Sequence, residues 1–182
     1  MGTIKDFKFK LIENFFTPEE VPLGLRYLLL KHKRNFSHFD KKQSSAGDSY
    51  FYGDELTDVL LMTKRKKVMQ ESGLELLPTY AFSRIYTYGA DLKPHKDRPS
   101  CEISVTAMWG SDGTSWPIYM DGHEVNMKPG DAVLYSGCEL EHYRKKFEGD
   151  FHVQTFFHYV DKNGVNKEWL YDKRHPYDDP EI

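Results

Sequence analysis

From Leu76 onward the chain breaks into short runs of alternating, β-branched and aromatic residues, each closed by turn residues. The runs cover residues 79–88, 102–109, 118–120, 124–127, 132–135, a stretch near His142, and 153–160. Between them lie Gly89-Ala90-Asp91, the tight Asp121-Gly122 pair and Pro129-Gly130-Asp131. Many short strands with turns at this spacing predict a sandwich or barrel of the jelly-roll type. Aromatic residues make up 15% of the chain, enough large flat side chains to fill the space between two sheet layers.

The first part of the chain reads differently. Thr17 is placed as an N-cap, with Pro18 in the first turn and Glu20 closing a capping box. The helix expected from there to about Arg34 buries Val21, Leu25, Leu28 and Leu29. A second helix is expected from Asp54 to Gly73, with Leu56, Val59, Leu60 and Met69 inward. Residues 35–53 between them, with Tyr50, Phe51 and Tyr52, read as a long loop of the kind that serves as a lid or moves freely. Helices followed by strands argue against an alternating parallel α/β fold. The expectation is a mainly β, α+β chain of one domain: a helical support over 1–75, a strand core over 76–161 and an extension over 162–182.

At 182 residues with a formal net charge of −3, no global basic field points to nucleic acid or an anionic membrane. The run Lys64-Arg65-Lys66-Lys67 reads as a solvated helix face. No stretch approaches the ~18 apolar residues needed to span a bilayer. The start carries no long apolar segment of the secretory kind. Cys101 and Cys138 form no metal-type pair in sequence, so a reduced, cytoplasmic setting is expected, with a disulfide between them as the alternative.

Ferrous iron takes two imidazoles and one carboxylate on one face and keeps positions open for other ligands. His95-Lys96-Asp97 offers two such groups, and on a strand residues two apart point to the same side. A third ligand must come from another strand. His142 follows Lys128-Pro129-Gly130-Asp131 and the apolar run beyond it.

These residues carry a resemblance. The approach run Ile85-Tyr86-Thr87-Tyr88-Gly89, the His95/Asp97 pair, the Lys128-Pro129-Gly130-Asp131 turn and His142 resemble the Fe(II)- and 2-oxoglutarate-dependent dioxygenases, close to the prolyl 4-hydroxylase-like branch. The resemblance covers about residues 83–159. It implies a double-stranded β-helix core, Fe(2+) held by His95, Asp97 and His142, 2-oxoglutarate as cosubstrate, O2, and release of succinate and CO2. Among related halogenases the carboxylate ligand is given up, so retention of Asp97 favours hydroxylation. A second His-x-Asp, His38-Phe39-Asp40, falls in the expected loop with no Tyr/Gly strand before it and is read as a decoy.

The family places Lys or Arg about ten residues past the distal histidine to hold the distal carboxylate of the cosubstrate; this chain has His152 there. A histidine with an ordinary pKa near ~6.5 is a weak anion anchor at neutral pH. Arg144, two residues past His142, is the favoured anchor because its planar fork suits a carboxylate. Lys146, His152 and Gln154 are the fallbacks. Tyr86 or Tyr88 is a candidate phenol donor to the same group, and Arg98 a rim residue for substrate. Phe156 and His158 share the inward parity of His152 and Gln154, with His158 read as a core histidine, His123 as exposed, and the tail from Asp172 as peripheral. The substrate implied first is a prolyl residue of a peptide or protein, with small molecules open. The rivals are a cupin-like metal enzyme without 2-oxoglutarate, which would need a further His or Glu donor, and a silent jelly-roll binding module.

Overall fold

The structure, a computed structural model, describes residues 2–34, 38–40 and 48–174. Its elements in chain order are α1 (Ile4–Phe7), β1 (Phe9–Ile12), α2 (Glu20–Lys33), β2 (His38–Asp40), β3 (Asp48–Tyr52), α3 (Glu55–Ser72), β4 (Leu76–Thr87), β5 (Leu92–His95), β6 (Ile103–Ser111), β7 (Ile118–Met120), β8 (His123–Val125), β9 (Ala132–Ser136), β10 (His142–Arg144) and β11 (Phe151–Asp161). Short 3-10 turns cover Pro99–Cys101 and Lys167–Lys173. All strand pairings are antiparallel. They form a seven-stranded sheet ordered β1-β9-β6-β11-β4-β3-β2 and a four-stranded sheet ordered β5-β10-β7-β8. This is the jelly-roll architecture that the strand spacing predicts. No described helix is long and apolar enough to cross a membrane.

The period-two pattern of the long strands divides the large sheet into two faces. Ala81, Ile85, Val105, Ala107, Trp109, Val153, Phe157 and Tyr159 join one core cluster with Phe15, Phe16, Leu28, Leu61 and Val68, under α2 and α3. Phe16 stacks on Trp109 at 3.7 Å, and the indole Nε1 donates to Thr155 Oγ1 at 2.7 Å. Gly24 of α2 lies directly over this ring: a Cβ there would stand 2.3 Å from it, so only glycine lets the helix approach so closely. Residues of the opposite parity, including Tyr86, Phe156, Val133 and Tyr135, line the space inside the roll.

The motif expected before helix α2 forms, although the helix itself begins at Glu20 with Glu19 at its N-cap rather than Thr17. Thr17 N donates to Glu20 Oε2 at 2.8 Å and Glu20 N to Thr17 Oγ1 at 3.3 Å, a complete capping box. Helix α3 is N-capped by Asp54, which accepts from Leu56 N and Thr57 N, and it ends on Gly73 in the left-handed region at φ 71°. Its buried stripe differs from the expected one. Val59 is 56% exposed, while Thr57, Asp58, Leu61, Arg65, Val68 and Ser72 are buried. Four of those six residues are polar, so apolar periodicity pointed to a face rotated away from the real one. Leu60 and Met69 still pack at the edge of the core.

The basic run is not simply solvated. Arg65 is buried, Lys64 pairs with Glu20 at 2.6 Å, and Lys67 donates to Asn14 O at 2.8 Å. The expected loop over 35–53 is partly a hairpin, because β2 and β3 pair and extend the large sheet beyond β4. Phe51 is a core residue rather than a lid residue. Residues 35–37 and 41–47 lie outside the described residues, as do the side chains of His38 and Asp40 and the whole of His175. Nor is the start of the tail peripheral. Asp172 accepts from Tyr52 Oη at 2.5 Å and Arg98 Nη2 at 2.8 Å, and Arg174 donates to Asp58 at 2.9 Å.

Candidate metal centre

The site begins with β5, the short strand that ends on His95. β5 contains Pro94, which gives no ladder N–H and reads as a breaker, yet β5 is an edge strand where proline is tolerated. It pairs with β10 in a register that sets His95 directly opposite His142. Side chains at such paired positions touch, and the two imidazole centroids are 4.2 Å apart. Asp97 was expected on the same strand as His95. It lies instead just past the strand end, where its backbone N donates to Gly137 O at 2.8 Å. The carboxylate nevertheless turns in, with Oδ1 3.7 Å from His95 Nε2 and 3.6 Å from His142 Nε2.

Each imidazole is held for ligation. His95 Nδ1 donates to Lys93 O at 2.8 Å and His142 Nδ1 to Leu140 O at 3.1 Å, which leaves both Nε2 lone pairs turned toward Asp97. The donor atoms of His95, Asp97 and His142 all lie within 4.8 Å of one another, a set that can hold one metal ion. Ser104 Oγ donates to Asp97 Oδ2 at 3.3 Å. Gly137 makes room for the carboxylate, since a Cβ there would stand 2.5 Å from Asp97 Oδ2 and 2.2 Å from Cys101 O.

Burial raises the Asp97 carboxyl to about 6, with His95 and the Ser104 and Tyr135 hydroxyls pulling it partly back. Burial lowers both imidazoles, His95 further by the neighbouring His142. Three groups that resist their charged or paired forms gain most from a cation, which restores the carboxylate and uses the neutral imidazoles.

The triad lines a cavity of about 300 Å³. Tyr80, Phe82, Arg84 and Tyr86 of β4 and Phe156 and His158 of β11 line it too, together with Arg98, Cys101 and Tyr135. Arg84 was missed in the sequence, although it shares the parity of Tyr86, and an arginine inside an otherwise inward-facing run was the available signal. It is buried with Asp48, at 3.8 Å from Nε to Oδ2. His158 is buried and partnered by Ser104 at 2.8 Å, as expected of a core histidine. It faces this cavity, and burial holds its pKa down at about 3.

Of the proposed cosubstrate residues, Arg144 is 2% exposed and turned into the roll. Its guanidinium lies 4.5 Å over the Trp116 ring and donates to Trp116 O and, at 2.8 Å, to Gln154 Oε1. These partners are neutral, and Arg144 Nε has none. Burial brings its pKa down to about 10, still charged at neutral pH. Arg144 does not itself line the cavity; Tyr86 and Tyr135, which do, partly offset the effect of burial on its pKa. The Tyr86 hydroxyl is fully buried, and the neighbouring Arg84 and Arg144 charges act on it.

The fallbacks fare differently. Burial, aided by Arg144, lowers His152 to about 3, so it stays neutral at physiological pH and does not serve as an anion anchor. Gln154 spends its oxygen on Arg144 and His152 and its amide on Thr106 Oγ1 at 2.6 Å, which makes it a brace for Arg144. Lys146 is exposed with its ammonium over the Tyr88 ring. Tyr88 itself is 64% exposed, because β4 ends at Thr87 and the chain turns outward there. Neither lines the cavity, and nor do Arg144, His152 and Gln154, which lie deeper in the roll. His123 is exposed, as expected.

No known protein family matches the chain in sequence, and no curated protein does. Solved structures do match in fold. A prolyl-4-hydroxylase from Pseudomonas putida aligns over 87% of this chain and 97% of its own, with a TM-score of 0.68 and 16% identity. A Trichoplax adhaerens prolyl hydroxylase, in complex with a hypoxia-inducible factor peptide fragment, aligns over 94% and 90%, with a TM-score of 0.67 and 15% identity. HygX from Streptomyces hygroscopicus, with nickel and 2-oxoglutarate bound, aligns over 90% and 87%, with a TM-score of 0.67 and 12% identity. At these identities the likeness is one of fold: the chain has the jelly roll of the 2-oxoglutarate–Fe(II) oxygenases.

Proposed function

We propose that this protein is an Fe(II)- and 2-oxoglutarate-dependent oxygenase whose metal is held by His95, Asp97 and His142. The observation that carries the reading is the convergence of two Nε2 lone pairs and one carboxylate oxygen at the wall of an interior cavity. Two imidazoles and a carboxylate with open positions are the donor set of non-haem iron oxygenases. Ferrous iron with 2-oxoglutarate and O2 supplies oxidation of an unactivated C–H bond, with succinate and CO2 as co-products.

The chain's own residues contribute position and charge. The backbone carbonyls of Lys93 and Leu140 fix the tautomer and direction of the two imidazoles. Arg144 is the anchor for the distal carboxylate of the cosubstrate. It is a buried cation with only neutral protein partners, and a buried charge without a counter-ion is costly. Arg84 is less suited, since Asp48 already accompanies it. The buried Tyr86 hydroxyl, on the cavity wall, supplies a further donor to the same group. Phe82 and Phe156 add apolar wall to a cavity otherwise lined largely by polar and charged side chains.

The prolyl hydroxylases among the fold neighbours support a prolyl residue of a peptide or protein as substrate. Both cysteines are free thiols, which suits a reducing, cytoplasmic setting.

The test is anaerobic titration with ferrous iron and then 2-oxoglutarate, read by the weak visible charge-transfer band of the chelate. The band is expected in the wild type and in His38→Ala, and lost in His95→Ala. Arg144→Met is expected to keep iron and weaken 2-oxoglutarate roughly 10- to 100-fold, the worth of a hydrogen bond to a charged group. Iron binding without the band would move the cupin-like reading ahead, and no iron binding would leave a silent binding module.

A further inference from the structure

The iron triad does not exhaust the metal-binding atoms of its cavity. Cys101 and His158 line the same space, and the donor atoms of Asp97, Cys101 and His158 again lie within 4.8 Å of one another. We propose that Asp97, Cys101 and His158 form a second metal site, for a borderline-soft divalent cation such as zinc, which shares Asp97 with the iron triad.

The hydrogen bonds around these residues are arranged for it. Ser104 Oγ has one proton to give, and it faces three acceptor or donor groups: Cys101 O at 3.0 Å, Asp97 Oδ2 at 3.3 Å and His158 Nδ1 at 2.8 Å. Spending that proton on an oxygen makes the hydroxyl an acceptor for His158 Nδ1–H, so Nε2 of His158 keeps its lone pair for a metal. The Cys101 sulfur lies 3.1 Å from the Tyr80 hydroxyl, a donor suited to a metal-bound thiolate. Asp97 has an oxygen for each side, since Oδ1 faces His95 and His142 while Oδ2 faces Ser104. All three side chains stand on fixed supports: the 3-10 turn for Cys101, central strand β11 for His158, and the backbone bond to Gly137 for Asp97.

Thiolate, imidazole and carboxylate together select zinc or cobalt over magnesium or calcium, which prefer all-oxygen shells. On binding, the Cys101 S–H bond breaks, the sulfur electron pair goes to the metal and the proton leaves to solvent, with no change of oxidation state. A cation seated there draws on the same carboxylate the iron needs. Zinc at this site therefore weakens iron at the other.

The experiment is anaerobic titration with cobalt(II), followed by the near-ultraviolet thiolate-to-cobalt charge-transfer band and the visible d–d bands. The variants are Cys101→Ser, Cys138→Ser and the pair His95→Ala/His142→Ala. The thiolate band is expected in the wild type, in Cys138→Ser and in the double-histidine variant, and it is expected to vanish in Cys101→Ser while the d–d bands persist. Cobalt binding by the wild type without a thiolate band, or a thiolate band that survives in Cys101→Ser, overturns the proposal. The wild type and Cys101→Ser decide this between them if the double variant does not fold. Failure of the iron triad reads separately, as loss of all cobalt bands in Cys101→Ser.

Discussion

Replacing Asp97 by Asn is expected to stabilise the metal-free protein, although it removes a proposed metal ligand. Burial raises the folded Asp97 carboxyl from 3.8 to about 6. The folded state therefore holds this proton more tightly than the unfolded chain does. The sign follows: the contribution of Asp97 to apo stability is most favourable below about 4 and is lost as pH rises through 6. Above that, an ionised Asp97 costs the apo fold roughly 3 kcal/mol, the free energy equivalent of moving a pKa from 3.8 to 6. Asparagine is isosteric and uncharged, and Ser104 Oγ can still donate to its oxygen. Urea unfolding in the presence of a chelator should show Asp97→Asn about 1–3 kcal/mol more stable than the wild type at pH 7.5. The difference should shrink toward zero by about pH 4. Saturating metal should reverse the order, because ligand at a hundred times Kd adds about 2.7 kcal/mol to the wild type alone. A variant no more stable than the wild type at pH 7.5, with a difference that does not change with pH, would refute the desolvated triad.

Three further outcomes follow from the packing. Gly137→Ala drives a methyl against Cys101 O and Asp97 Oδ2, so it should lower iron affinity at least tenfold by titration and cost about 1–3 kcal/mol of stability; an unchanged titration midpoint would count against the role of Gly137. Gly24→Ala places a Cβ 2.3 Å from a Trp109 ring that Phe16 and Thr155 hold in place. Its overpacking cost of about 1–3 kcal/mol exceeds the helix-propensity gain of alanine, and a thermal melt should show a lower midpoint with the metal site intact. Asp54→Ala removes the α3 cap and the buried partner of Lys31 and Tyr27, and should cost about 2–4 kcal/mol in chemical denaturation.

The sequence carried the fold where local signals were strong. The β4, β6, β7, β9 and β11 runs read off their alternation, and the caps at Asp54 and Gly73 and the Thr17–Glu20 hydrogen-bond pair read off their own chemistry. Signals failed where tertiary context overrode them. β5 was expected to run through Asp97 but stops at His95, and its edge position is what permits Pro94 within it. β3 hid in polar residues because its buried Asp48 and Ser49 answer to partners on other elements. The stripe of α3 was misjudged because Asp58 and Arg65 are inside it, with Asp58 bound to Ala81 N and Arg174.

By itself the sequence determined that His95, Asp97 and His142 were the residues to watch, because identity and spacing survive any folding. It could not decide how they meet, since Asp97 arrives from beyond the end of a strand and His142 by cross-strand register. Tertiary structure alone decided that Arg144 has only neutral partners, that His152 stays neutral and that Cys101 and His158 share the cavity. The reason is physical: charge state and ligation depend on burial and on what lies across the roll, and neither quantity is local in sequence.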